Sequence, residues 1–206
     1  TYGDTGGWPG RADGRGGTLV VVDPAGDLGD SDNWLGSVEY GGSPGAAGLG
    51  GYADVVVNEV LANPAAGGRD AIELKNTSSQ AIDVGGWYLS DSSDNVRKYR
   101  LPSNEPGWTT IPAGGYLVID AARFGAAFGL SSGGDDVWLT AADPLTGRLL
   151  RFADHAEFGA SPQGYTWGRA PDGAGAFEVL AAPTLGAANA AGMTGSVVIN
   201  ELHVSP

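Results

Sequence analysis

The densest run of possible ligands is Asp23-Pro24-Ala25-Gly26-Asp27-Leu28-Gly29-Asp30-Ser31-Asp32-Asn33. Calcium takes roughly six to eight oxygen donors, often from flexible Gly-containing loops, which makes Asp23, Asp27, Asp30 and Asp32 the candidate calcium ligands. The bland alternative is a solvated turn between strands, because Asp, Gly and Pro are turn residues. No EF-hand register is present, since no Glu follows a first Asp at the required spacing with Gly midway. Asp91, Asp94 and Asn95, and Asp135-Asp136 after Gly133-Gly134, fit hairpin turns better than a metal site. The two histidines, His155 and His203, are too few for zinc without carboxylate help. His155 follows Asp154, but adjacent strand residues face opposite sides, so the two should not form an acid–base pair. With no nucleophile elbow, phosphate loop or dinucleotide fingerprint, no residue is assigned a catalytic role.

Aromatic residues offer a second chemistry. Trp8, Trp34, Trp87, Trp108, Trp138 and Trp167 either fill a core or present rings to a sugar. Trp87, Trp138 and Trp167 alternate with polar neighbours inside strand patterns and are expected in the core. Trp108, in Asn104-Glu105-Pro106-Gly107-Trp108, reads as a loop residue whose ring is the candidate polysaccharide contact.

The elements that position these residues are short strands. The chain has 206 residues and no Cys, so disulfide and thiolate chemistry are excluded. Its 36 Gly and 12 Pro, without a period of three, make it dense in turns. A formal charge of −13 repels phosphate backbones, so nucleic acid is not an expected partner, whereas cations are attracted. Gly, Pro or Asp interrupts each apolar run well before the roughly 18 to 20 residues that a membrane helix needs, so no membrane insertion is expected. Thr1 to Gly7 reads as the middle of something, a piece of a longer chain.

Two echoes organise the chain. Val56-Val57-Asn58-Glu59-Val60 recurs as Val198-Ile199-Asn200-Glu201-Leu202, which reads as a domain start seen twice. Gly10-Arg11-Ala12-Asp13-Gly14, Leu19 to Val22 and Ser43-Pro44-Gly45 resemble Gly168 to Gly173, Phe177 to Leu180 and Pro183 to Gly186, a domain end seen twice. The parse is a closing part at 1–48, a linker at 49–53, a complete unit at 54–190, a linker at 191–195 and an opening strand at 196–206. Within the complete unit, period-two alternation at Val55/Val57, Ile72/Leu74, Trp87/Leu89, Tyr116 to Ile119, Val137/Leu139 and Leu149 to Phe152 indicates an all-β, antiparallel sandwich. In Glu-Leu-Lys-Asn, Ile72 and Leu74 point inward while Glu73 and Lys75 point out, as a half-solvated strand requires. Ala121 to Phe128 is the one helix candidate, of one or two turns. Asn-Glu at the same place in both copies suits a structural hydrogen bond at the sandwich end.

The succession V-V-V-N-E-V (Val55 to Val60), A-I-E-L-K-N (Ala71 to Asn76), D-V-G-G-W-Y-L-S-D (Asp83 to Asp91), I-P-A-G-G-Y-L-V-I (Ile111 to Ile119) and Y-T-W-G-R-A-P-D-G (Tyr165 to Gly173) resembles a bacterial lamin tail domain. The resemblance implies an immunoglobulin-like sandwich with no known catalytic centre, so the chain is expected not to be an enzyme. Residues 1–48 are similar to the closing portion of that domain in large secreted bacterial proteins, which implies an extracellular or cell-surface setting. The expected function is a structural repeat of a surface array or filament, whose partners are neighbouring copies of the same domain. The candidate assembly strand is Val197, Val198, Ile199, Asn200, Glu201 and Leu202, since an opening strand must pair its backbone with another edge. The alternative expectation is an accessory module that binds carbohydrate or protein.

Overall fold

The computed structural model describes residues 7–48 and 54–193. The candidate strand Val197 to Leu202, His203 and most of the two linkers lie outside the described residues. Between 54 and 193 the chain folds into two facing antiparallel sheets. The five-stranded sheet has the order β13-β12-β3-β4-β9, with β3 Val55–Leu61, β4 Ala71–Asn76, β9 Tyr116–Asp120, β12 Trp167–Ala170 and β13 Ala176–Val179. The four-stranded sheet has the order β11-β10-β6-β7, with β6 Tyr88–Ser90, β7 Tyr99–Arg100, β10 Asp135–Ala142 and β11 Leu149–Phe158. A short ladder of β5 Ile82–Asp83 with β8 Thr110–Ile111 lies beside them.

Alternation in the sequence becomes the inner face. Val55, Val57, Ile72 and Leu74 from one sheet meet Leu89, Val137 and Leu139 from the other, all fully buried. Val60 continues that face although it breaks the odd-numbered series, because the β3–β4 ladder shifts register between Val57 and Glu59. Such a bulge adds a residue to one strand and turns it locally. The sheets are also tied by Asp154 of β11. Its Oδ2 accepts from the Val57 N–H of β3 and from Arg169 Nη2 of β12, both at 2.8 Å.

Trp87 and Trp167 are partly buried against the main core, as expected. Trp138 is buried too, but in a second cluster with Val96, Ala142, Leu149 and Phe152. The helix expected over Ala121 to Phe128 is a single turn, α2 Ala121–Phe124, capped by the Asp120 side chain, which accepts from the Ala122 N–H. Phe124 and Phe128 stack 4.7 Å apart just beyond it.

Residues 7–48 form a small hairpin that leans on the sandwich. β1 Leu19–Val21 pairs with β2 Trp34–Gly36, preceded by the 3-10 turn η1 Gly10–Ala12. Backbone bonds from Tyr40 N–H to Leu150 O (2.9 Å) and from Phe152 N–H to Val38 O (2.7 Å) add residues 38–40 to the edge strand β11. An edge with unpaired N–H and C=O groups is a hazard, and this addition covers part of it. Tyr40 lies 5.7 Å from the Phe152 ring, and the Arg11 guanidinium stands over that ring at 5.1 Å.

Candidate interaction site

The strongest polar constellation lies on the outer face of the five-stranded sheet, where β3 and β4 put Asn58, Glu59 and Glu73 next to each other. All three are fully buried. The chain after β13 folds back over them as a loop, Pro183 to Asn189. Glu59 Oε1 accepts from the Thr184 N–H (2.8 Å) and Oε2 from the Thr184 hydroxyl (2.9 Å). Glu73 Oε1 accepts from Asn58 Nδ2 (2.8 Å) and Oε2 from the Gly186 N–H (2.5 Å). Asn58 Oδ1 accepts from the Gly173 N–H (2.9 Å), and its Nδ2 also reaches Asp172 Oδ1 (2.9 Å). Asn189 Nδ2 donates to the carbonyls of Asn58 (3.0 Å) and Arg169 (2.9 Å). The first strand of the sandwich is thereby clasped to its last loop.

The electrostatics follow from that burial. Loss of water pushes the Glu73 carboxyl up to about 7. Donation from Asn58 and Gly186 opposes the rise, and the charges of Glu59 and Asp172 add to it. Asp172 moves the other way. Burial by itself would raise it, but bonds from Lys75, Asn58 and Tyr116 outweigh burial and hold it below the ordinary carboxylate range. Lys75 Nζ stands 2.9 Å from Asp172 Oδ2, and the Tyr116 hydroxyl donates to the same oxygen at 2.8 Å. Each oxygen of Glu59 and Glu73 carries a donor from the chain itself, which suits structural closure.

A family model described as Lamin Tail Domain matches residues 50–152, half of the chain. The chain belongs to the lamin tail domain family. No curated protein and no solved structure matches it. Lamin tail domains are immunoglobulin-like modules with structural or interaction roles on a non-catalytic fold, in keeping with the sandwich described above. The matched span ends inside β11, and β12, β13 and the clasping loop lie beyond it, where β12 and β13 complete the five-stranded sheet.

The structure does not bring the candidate calcium ligands together. Asp23, Asp27, Asp30 and Asp32 are exposed. Asp23, Asp27 and Asp30 each turn a carboxylate back to the amide two residues on, at Ala25 (2.9 Å), Gly29 (2.7 Å) and Asp32 (3.0 Å). Oxygens that cap their own turns do not converge on one centre. Among the described residues, no three His, Asp or Glu side chains gather where a metal ion could be held. Trp108, read from sequence as a loop residue, stands in a helical turn. It sits in α1 Pro106–Thr109, partly buried against the core, with the Arg123 guanidinium 3.8 Å from its ring centroid. One ring face is thus covered by the cation that a sugar would have to displace.

Asp154 and His155 point apart as expected. The histidine stacks on Trp138 at 3.9 Å, and its Nε2 lies 2.5 Å from Asp136 Oδ1 on the neighbouring strand. The clasp residues Asp172, Thr184, Gly186 and Asn189 were not identified from sequence, although recurrence of Asn-Glu marked one half of the arrangement. The other half was written in Thr184-Leu185-Gly186-Ala187-Ala188, which matches Ser43-Pro44-Gly45-Ala46-Ala47 in character and order. Among the described residues, no helix is long and apolar enough to cross a membrane.

Proposed function

We propose that the chain is a non-enzymatic structural repeat of a secreted or surface-displayed array, in which lamin tail domains join to further copies through strands bearing the Asn-Glu motif. The observation that carries this reading is the clasp. Asn58 and Glu59 hold the first strand of the sandwich to its last loop, and the same motif recurs at Asn200-Glu201. A strand carrying that motif presents a buried carboxylate and amide that need a closing loop as partner. The echo of the closing loop at residues 43–47 supports a head that matches a tail, an arrangement that propagates along one direction. The extracellular setting rests on the resemblance of 1–48 to portions of secreted bacterial proteins. The covered ring of Trp108 offers no comparable support for a carbohydrate-binding module.

Sedimentation of the full chain tests the reading. Association that grows with concentration, at levels up to about 100 μM, and falls when Asn200→Ala and Glu201→Ala are combined is the expected result. A chain that remains monomeric throughout that range overturns it.

A further inference from the structure

We propose that the outer face of the four-stranded sheet is the joint between successive lamin tail domains, and that its partner is the closing part of the preceding copy, seated there by residues 23–42. The inference rests on the repeat reading above and assigns it a surface and a determinant.

An antiparallel sheet in a sandwich usually turns one face to water. This one does not. Its inner face carries Leu89, Val137 and Leu139, and its outer face carries Trp138, Ala142, Leu149 and Phe152, which belong to a core of their own. Trp138 is 9% exposed and Phe152 1%. An apolar patch on the outside of a sandwich needs a permanent cover. Residues 7–48 supply part of it, since the Tyr40 ring lies 5.7 Å from the Phe152 ring and the Arg11 guanidinium stands over that ring at 5.1 Å.

The cover is tied on through backbone atoms. Residues 34–36 pair with β1, and the Ser37 N–H donates to Thr18 O (2.8 Å). Residues 38–40 then pair with β11 through the Tyr40 and Phe152 amides, with Glu39 opposite Arg151. One continuous segment thus joins the hairpin to the edge of the sandwich by strand addition. Ser37 and Glu39, at the crossing point, are both buried.

The echo in the sequence tells which copy this cover belongs to. Leu19 to Val22 matches Phe177 to Leu180, and Ser43 to Ala47 matches Thr184 to Ala188, so residues 7–48 carry the plan of a closing part. Between those matches the complete unit has only Ala181-Ala182-Pro183, where the hairpin has residues 23–42. β2, Val38, Glu39 and Tyr40 all lie in that extra stretch. The clasp closes the complete unit without any counterpart of it, so its role in the hairpin is to reach the following domain. A joint of this kind forms only behind a copy that carries the long connection. Coupling between neighbours then stiffens an array at chosen junctions.

The test uses the full chain and reads amide hydrogen exchange. Replacing residues 23–42 with Ala-Ala-Pro, the connection found at 181–183, should speed exchange of the Phe152 amide at least about a hundredfold and raise binding of a hydrophobic dye. The amides of β4, enclosed between β3 and β9, should keep their protection within about threefold. A Phe152 amide that stays protected in that chain overturns the joint. Tyr40→Ala guards against a replacement that unfolds everything. It takes the ring away from Phe152 and should speed exchange there about tenfold with β4 unchanged. Equal acceleration at both places means that hairpin and sandwich open as one body, with no joint between them. Sedimentation separates this outcome from the array reading. A chain that associates through Asn200 and Glu201 while Phe152 exchange is indifferent to both changes keeps the array and loses the joint. A chain that never associates removes the neighbouring copy, and the joint with it.

Discussion

The same short motif stands in two surroundings in this molecule. Gly168-Arg169-Ala170 lies in strand β12, hydrogen-bonded to β3 on one side and β13 on the other. Gly10-Arg11-Ala12 is a 3-10 turn that lies against β2, where Arg11 Nη2 donates to Gly36 O (3.4 Å), but enters no ladder, and the hairpin after it pairs with itself. A neighbouring strand, and not local sequence, decides the conformation, as strand propensity depends on what the strand packs against. The clasped end of the sandwich is consequently closed over the buried Asn58, Glu59 and Glu73, whereas the corresponding end of the hairpin carries a groove. In the sandwich, β3 with its Asn-Glu pair joins β12 on one side and the closing loop above it, and the hairpin has no such strand among the described residues.

The largest effect that would break this comparison is at the clasp. Asn58→Ala leaves Glu73 Oε1 and the Gly173 amide without partners in a buried site, and should cost about 3–5 kcal/mol. For a chain of this size that is a fall of roughly 10 °C in Tm, measurable by scanning calorimetry. A loss below about 1 kcal/mol would mean that the end of the sandwich holds without the clasp.

Next in size is the pH response. The folded value of Glu73, about 7, lies above its ordinary 4.5. Its contribution is therefore fully present below about pH 4.5 and is lost as pH rises through 7, by at most about 3 kcal/mol. Asp172 is depressed, so its contribution is present above the ordinary carboxylate range and lost as pH falls through the lowered value. Stability against urea should peak in mildly acid solution and decline toward pH 8. Glu73→Gln should flatten the decline on the alkaline side. An equally steep decline in that variant would place the titration elsewhere.

Much of the sandwich was legible in the sequence, because period-two alternation and burial on one face are the same fact. Val55, Val57, Ile72, Leu74, Val137 and Leu139 all face the core. Glu73 was legible in direction but not in environment. It points away from that core, as read, yet it is fully buried because Gly186, 113 positions later, covers it. No periodicity within a strand reports a loop that far away. The acidic run at Asp23 to Asn33 shows the same separation of direction from environment. Composition gave the density of carboxylates, whereas their direction is set by the amides two residues on. The attachment of 38–40 to the edge of β11 left no mark in the pattern, since pairing through backbone atoms makes little demand on side-chain identity.

Two paired substitutions sharpen the contrast at smaller scale. A Cβ at Gly168 would lie 2.7 Å from Leu180 Cδ1, 2.9 Å from Asn189 Nδ2 and 3.0 Å from Asn58 O, whereas one at Gly10 meets nothing within 4 Å. Gly168→Ala should cost about 1–3 kcal/mol through displacement of β3 and the loop. Gly10→Ala should change the stability of the dilute chain by less than about 0.5 kcal/mol. Equal effects would mean that both glycines are equally enclosed and that the hairpin has no vacancy.

The smallest contrast is between Thr184 and Ser43, which occupy the same place in two matching turns. Thr184→Ala removes the hydroxyl bonded to the buried Glu59 carboxylate and should cost about 1–2 kcal/mol at any protein concentration. Ser43→Ala should cost less than about 0.5 kcal/mol in dilute solution. It should become measurably destabilising as the concentration rises into the range where chains associate, because a partner that binds only the folded form adds to its stability. Thermal unfolding of both variants across a hundredfold range of concentration separates the two behaviours. A Ser43 effect that is independent of concentration would mean that its turn is already engaged within one chain, and the distinction between a closed end and an open one would disappear.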